Sequence, residues 1–493
     1  MSAPSILPPT APEAAPAAIP LPEDPELRWL ATTYRHGERQ LTVRAVVTGM
    51  ALGGIMCLSN LYVVLKTGWS LGVTLTACIL AFAIFRGMKA TRLVKEEFTI
   101  LENNAMGSVA SAAGFMTGGG NMAALPALLM LTAVRPDGIS LFVWFSVIAL
   151  LGVFAAIPVK RQLINREQLA FPTGTATAET LRSLHEAAHA KEGGGGEKAK
   201  FLGIAAGVGA LLAWFRDAKG AFMPFNLPDS IPLPFQIAGR AAKDWTLTLK
   251  SELVLFGAGA LMSFRTGWSL LLGAILTYVF LAPSLLASGQ IAGASYKAIV
   301  AWTLWPGAAV LVASGLTSFA LDWKSISRSF AGLSGLFGKK KEAVEDPIAA
   351  VEVPDSWFPI GFAILGPIVV FLMWRLFEIP IWAGVIAVPL AVVMGFVASR
   401  VTGETDVTPT KALGPVTQLV YGVVTPGNLA GNLMSANVTG GIGLHAADLL
   451  TDLKSGYLLG ANPRQQFYAQ LFGVLAGAAV VVPAFWLLVP DPS

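Results

Sequence analysis

The stretch Ile139-Ser140-Leu141-Phe142-Val143-Trp144-Phe145-Ser146-Val147-Ile148-Ala149-Leu150-Leu151-Gly152-Val153-Phe154-Ala155-Ala156-Ile157-Pro158-Val159 runs for twenty-one residues without a charge. A helix that crosses the hydrocarbon of a bilayer needs about 20 mostly apolar residues, so this segment reads as a membrane span. Outward from it, comparable runs occupy 42–65, 69–85, 201–215, 253–264, 268–288, 298–321, 358–374, 381–399 and 467–489. Several are short, which predicts tilted, paired or re-entrant helices. Two further stretches, 98–133 and 416–450, are apolar but crowded with Gly, Asn and Thr. The whole chain of 493 residues is 54% hydrophobic and 13% charged, with a mean hydropathy of +0.63. Soluble domains carry about 25% charge, so an ordinary soluble, disordered or collagen-like protein is excluded. The expected fold is all-α: a polytopic integral membrane protein of roughly a dozen transmembrane helices, with broken or re-entrant segments and internal repeats.

The net charge of +4 comes without any basic tract interleaved with aromatics, so nucleic acid is not an expected partner. Cys57 and Cys78 lie in apolar runs and read as small core residues. Residues 1–25 are rich in Pro and Ala and hold no basic residue, so 1–41 reads as a disordered cytoplasmic arm rather than a signal peptide. Arg28, Arg35, Arg39 and Arg44 precede the first apolar run and favour an N-terminus inside. Residues 42–493 read as a single transmembrane domain with flexible loops at 190–200 and 322–356. The basic clusters Arg86, Lys89, Arg92 and Lys95, then Lys160, Arg161 and Arg166, then Lys324, Arg328 and Lys339 to Lys341, mark cytoplasmic loops; the proline-bearing loop 216–250 is expected on the other side. Lys66-Thr67-Gly68-Trp69-Ser70-Leu71 is echoed by Arg265-Thr266-Gly267-Trp268-Ser269-Leu270, two expected tight turns that suggest a repeated helical unit.

Lipid offers no partner to an open backbone group, so a glycine-broken polar stretch at membrane depth belongs inside protein or along a wet cavity. Three stretches qualify. The first, Glu102-Asn103-Asn104 through Ser108, Ser111 and Gly114 to Gly118-Gly119-Gly120-Asn121, opens on a carboxylate and two amides; close helix packing accounts for its small residues but not for its polar start. In the second, Glu167 precedes Phe171-Pro172-Thr173-Gly174-Thr175-Ala176-Thr177-Ala178-Glu179. Here Pro172 and Gly174 break the chain, and the helix that follows offers its N-terminus to an anion; a plain capped helix start is the competing reading. The third runs from Asn428 through Asn432, Asn437, Thr439-Gly440-Gly441 and His445 to Asp448 and Asp452. These two carboxylates sit four apart on one helix face and suggest a cation or proton site, against a helix end with surface charges. His185-Glu186-Ala187-Ala188-His189 matches the HExxH zinc pattern, yet no third ligand presents itself and a glycine run follows, so an intramembrane zinc metalloprotease is only the alternative.

At these stretches the chain resembles the oligopeptide transporter family, including its yellow-stripe-like branch and its bacterial members. The resemblance rests on Ile100-Leu101-Glu102-Asn103-Asn104 with Val109-Ala110-Ser111-Ala112, on Phe171 through Glu179, and on Gly403-Glu404-Thr405-Asp406 with Pro409. Its most specific part is Ala446-Ala447-Asp448-Leu449-Leu450-Thr451-Asp452-Leu453-Lys454-Ser455-Gly456-Tyr457, with Pro463-Arg464 and Gln470 beyond. It covers most of the chain from about residue 42 in the family's order. There are departures. Gly114-Phe115-Met116 stands where bacterial members carry a more polar stretch. Family chains also continue past the segment equivalent to 467–489, so a short or truncated member is expected, and a regulatory or scaffold remnant is a further reading.

The resemblance implies a proton-coupled carrier of small peptides or peptide-like metal chelates in the inner membrane of a bacterium. No enzymatic activity, cofactor or resident metal is expected, and a homo-oligomer is compatible. The expected substrate-binding residues are Glu102, Asn103, Asn104, Thr173, Gly174, Thr175, Glu179, Asn428, Asn432 and Asn437. For proton coupling they are Glu102, Glu167, Glu179, Asp448 and Asp452, because a proton-driven carrier needs titratable carboxylates in its cavity. No P-loop pattern supports drive by ATP.

Overall fold

The structure is a computed structural model, and it describes residues 23–67, 70, 72–118, 121–132, 134–189, 194–217, 227–251, 256, 264–321 and 346–488. Helices α1 (Pro25–Thr32), α2 (Val43–Thr67), α3 (Thr74–Ala90), α4 (Ile100–Gly114), α5 (Asn121–Leu131), α6 (Gly138–Ala155), α7 (Ile157–Lys160), α8 (Pro172–His189) and α9 (Gly194–Asp217) come first. After two short antiparallel ribbons follow α10 (Phe264–Ile275), α11 (Ala282–Ala287), α12 (Tyr296–Leu321), α13 (Trp357–Phe377), α14 (Ile381–Thr405), α15 (Thr410–Val424), α16 (Leu429–Leu459) and α17 (Pro463–Leu488). The spans Val43–Leu65, Gly138–Arg166, Gly267–Ala287, Trp357–Phe377, Ile381–Thr405 and Pro463–Leu488 are long and apolar enough to cross a bilayer. The protein is an all-helical polytopic membrane protein.

Helix α16 is the axis of the bundle. Its 31 residues rise about 45 Å, enough to pass through the hydrocarbon. It packs on α4, α5, α6, α8, α14 and α15. Small residues set the distances. A Cβ on Gly152 of α6 would stand 2.7 Å from the Ile442 carbonyl, and one on Gly441 would stand 2.5 Å from Ile148 Cγ2. Helix α4 is gripped in the same way: a Cβ on Gly49 of α2 would meet Val109 Cβ at 2.6 Å, and one on Gly477 of α17 would meet the Ala113 carbonyl at 2.5 Å. With no hydrophobic drive between helices in lipid, such close backbone approach supplies the packing energy.

The structure corrects several expectations. The stretch 439–441 is not a break: it lies inside α16, and Gly441 serves contact with α6. The interruption of the third stretch falls earlier, at residues 425–428, where the Asn428 side chain caps α16 by accepting from Gly431 N at 2.7 Å. Residues 265–270 belong to α10 and form no tight turn, because Gly267 is tolerated within an otherwise apolar helix; Gly68, Trp69 and Leu71 of the first copy lie outside the described residues. The linker expected at 190–200 is helical from Gly194 onward. The loop 216–250 contains two antiparallel ribbons, Ser230–Pro232 with Thr248–Lys250 and Gln236–Ile237 with Arg240–Ala241, closed over the buried Trp245. Of the loop expected at 322–356, residues 322–345 lie outside the described residues. The remainder is docked, with Glu352 buried in an ion pair with Lys160. The expected span 253–264 lies almost wholly outside the described residues.

The arm expected at 1–41 is ordered over its described part, from residue 23. Asp24 caps α1 by accepting from Glu26 N at 2.7 Å, and Pro25 opens the helix. Arg161 donates to both Glu26 oxygens, at 3.0 and 2.5 Å, and Asn165 adds a bond of 3.0 Å. Trp29 stacks on Tyr457 at 5.1 Å and its indole N–H donates to the Tyr457 carbonyl at 2.6 Å. A strap of chain thus ties the end of α16 to the end of α6.

Two outcomes follow from this packing. Gly477→Val drives a branched side chain into the α4 backbone and costs about 1–3 kcal/mol in thermal unfolding of the detergent-solubilised protein, whereas Gly273→Val, which meets open space, is neutral. Burial pushes the Glu26 carboxyl up, but the bonds from Arg161 and Asn165 and the charges of Arg161 and Arg166 outweigh it and hold the group below its ordinary 4.5. A carboxyl depressed in the folded state stabilises above its unfolded value and loses that contribution as pH falls through the lower folded value. The protection factors of amides 26–32, taken against the intrinsic exchange rate at each pH, are therefore high at neutral pH and fall in acid below 4.5; in Glu26→Gln they are low throughout.

Candidate functional site

One face of α16 carries a cluster of buried polar side chains. Asp448 and Asp452, one turn apart, are 7% and 1% exposed. Ser111 of α4 donates to Asp448 Oδ1 at 2.7 Å, and Thr74 of α3 reaches Asp452 Oδ1 at 3.2 Å. The Thr74 and Ser111 hydroxyls are 3.0 Å apart. The two hydroxyls bring two protons to three contacts, so the chain acid–hydroxyl–hydroxyl–acid is complete when one of the two acids is protonated. Gln470 of α17 donates to Asp452 Oδ2 at 2.8 Å, and Gln466 donates to the Asp452 carbonyl at 2.8 Å. One turn further along α16, Ser455 donates to Asn104 Oδ1 at 2.6 Å. Among the described residues no basic side chain forms an ion pair with either aspartate. The oxygens Asp448 Oδ2, Gln466 Oε1, Gln470 Oε1 and Asn103 Oδ1 accept no hydrogen bond from the described residues. The cluster is thus rich in acceptors and carries two acids without a cation.

A second polar node lies about 16 Å along α16. Asn437 accepts from the Trp144 indole at 2.9 Å and donates to Asn121 Oδ1 at 2.7 Å; Asn121 donates to the Met116 carbonyl at 2.8 Å, across the break between α4 and α5. The first and third stretches singled out in the sequence therefore meet twice. His445, between the two nodes, is fully buried, and neither ring nitrogen has a hydrogen-bond partner among the described residues.

The other expected site residues are placed differently. Glu102 is buried, but Thr42, Arg44 and the Thr99 backbone occupy both of its oxygens, with Arg44 as close as 2.5 Å; it caps α4 and pairs α2 to it. Asn103 donates to the Cys78 carbonyl at 3.2 Å. Glu167 pairs with Arg400 at 2.8 Å. Glu179 is exposed and pairs with Arg182 at 2.7 Å. The N-terminus of α8 is already filled by an anion: Asp406 accepts from Thr173 N at 2.8 Å and from Thr173 Oγ1 at 2.7 Å. Thr175 turns its hydroxyl back to the Ala170 carbonyl at 2.6 Å. Gly174 lets α8 lie against the Thr451 carbonyl of α16. Asn432 donates to the Gln418 carbonyl at 2.7 Å. His185 packs edge-on to Phe82 and Glu186 is exposed; the His189 side chain lies outside the described residues. Among the described residues no three His, Cys, Asp or Glu side chains form a set able to hold a metal.

Thr74, Ser455 and Gln466 join the cluster without having been singled out. The signal for Gln466 was available, since Gln466 and Gln470 stand four apart in an apolar helix and share a face. Nothing local marked Thr74, which reaches the acids only through packing of α3.

The model of the family described as OPT oligopeptide transporter protein matches residues 40–493. The chain belongs to the oligopeptide transporter family. Similar relatives include a Saccharomyces cerevisiae protein named for oligopeptide transport, 23% identical over 91% of this chain and 78% of its own length. The iron-phytosiderophore transporter yellow stripe 1 of Zea mays is 25% identical over 95% and 75%. A metal-nicotianamine transporter of Oryza sativa subsp. japonica is 24% identical over 91% and 73%. Oligopeptide transporter membership makes this chain an integral membrane transporter and leaves the metalloprotease reading without support.

Proposed function

We propose that this transporter carries small peptides or peptide-like metal chelates, and that Asp448 and Asp452 hold the proton that drives it. The substrate class is that named for its relatives. The observation that carries the coupling is the buried acid pair, which has no basic partner among the described residues. An uncompensated charge away from water is costly, so a positive charge must accompany the pair for part of the cycle. A proton meets that need without extra space, and the Thr74–Ser111 hydroxyls give it a path between the two acids. Glu102, Glu167 and Glu179 are poorer candidates, because each is engaged by an arginine. Asn103, Asn104 and Asn437 supply buried amides beside the two nodes for a substrate to meet. The basic residues near the first span support a cytoplasmic N-terminus, and the proposed location is a bacterial inner membrane.

Proteoliposomes with an inward proton gradient test this, using trialanine and iron(III)–nicotianamine as probes. Wild type accumulates at least one probe, and a protonophore abolishes the accumulation. Asp448→Asn and Asp452→Asn each lower gradient-driven uptake about tenfold or more, while Glu179→Gln leaves it unchanged. Uptake indifferent to the gradient, or aspartate variants indistinguishable from wild type, contradicts the proposal.

A further inference from the structure

Besides His445, helix α16 carries a further basic group, Lys454, that the coupling proposal does not use. Lys454 follows Asp452 by two residues, which places it about 200° around the helix, on the side away from the acid pair. That side faces α8: a Cβ on Gly174 would stand 3.2 Å from Lys454 Cβ. Lys454 is 6% exposed. The other buried lysine among the described residues, Lys160, is matched by Glu352, and the partly buried Arg44, Arg161 and Arg400 hold Glu102, Glu26 and Glu167. Lys454 has no carboxylate within ion-pairing distance among the described residues. Its ammonium stands 5.9 Å from the centre of the Tyr457 ring, which Trp29 stacks against. An aromatic face attracts a cation but does not neutralise it.

The start of α8 is the other feature here suited to an anion, and Asp406 occupies it. Arg182 of α8, at the same contact, is held by Glu179 and the Leu458 carbonyl, which leaves the lysine as the cation here without an anionic partner among the described residues. We propose that Lys454 is a substrate-binding residue, whose ammonium pairs with a carboxylate of the cargo at the contact of α8 with α16. The inference rests on the carrier reading above, since a peptide C-terminus and an amino-carboxylate chelate both present that group. A carboxylate supplies both the missing charge and charge-assisted hydrogen bonds. The proton-bearing acids then face α3, α4 and α17 and the lysine faces α8, which itself packs on α3 and α4, so the amides of Asn103 and Asn104 lie between the two groups.

The test uses the full chain in proteoliposomes, with trialanine and its C-terminal amide as paired probes and iron(III)–nicotianamine as a third. Wild type favours the free acid over the amide by about tenfold or more in apparent KM. Lys454→Met raises KM for the acid and for the chelate by about that factor, leaves uptake of the amide and the response to the proton gradient intact, and so erases the discrimination. Lys454→Arg retains it, and Lys454→Gln repeats the test if the methionine variant does not fold. Equal discrimination in wild type and Lys454→Met, or a fall in maximal rate for both peptides at unchanged KM, overturns the role of Lys454 alone. Absence of uptake of every probe by wild type overturns the carrier reading and this inference with it.

Discussion

Two carboxylates one turn apart, enclosed in a helical bundle that lipid surrounds, with no basic side chain paired to them among the described residues: this constraint organises the structure around α16. The acids are reached by hydroxyls and amides from α3, α4 and α17. None of these cancels their charge. Buried polar clusters of this kind are costly unless satisfied, and several oxygens of this one accept nothing. Such an arrangement suits a site that exchanges a positive charge with its surroundings, and is poorly suited to holding helices together.

Cohesion comes from elsewhere. Glycine and alanine bring α2, α4, α6, α16 and α17 into backbone contact. Fully paired ions sit toward the ends of helices, where Arg44 holds Glu102, Arg161 holds Glu26 and Lys160 holds Glu352. The contrast between matched charges at the periphery and unmatched ones on α16 separates structural from functional ionisable groups more sharply than residue type does. It explains why Glu102 and Glu179, though both lie in polar stretches of the sequence, are structural partners of arginines.

The apolar spans were legible because the helical period and the thickness of a bilayer leave few alternatives for runs such as 139–159. The acid pair was legible because a spacing of four fixes a common face. What escaped was tertiary. Gly440 and Gly441 read as a break, but a glycine pair serves equally to let helices touch, and only the facing Ile148 decides between the two uses. Thr173 and Thr175 read as an open anion site, because Asp406, more than two hundred residues distant, is invisible to a local motif. The first helix, α1, was hidden in a proline-rich arm, since its partners Arg161 and Tyr457 are supplied by distant helices.

The most direct measurement of the central claim counts protons with the cargo. In lightly buffered proteoliposomes, a pH indicator in the external medium records proton movement as transported probe is added without an imposed gradient. The account predicts alkalinisation outside in step with uptake, lost in the double variant Asp448→Asn, Asp452→Asn while that protein still exchanges labelled for unlabelled probe. Uptake without proton movement, or proton movement that survives the double substitution, would contradict it.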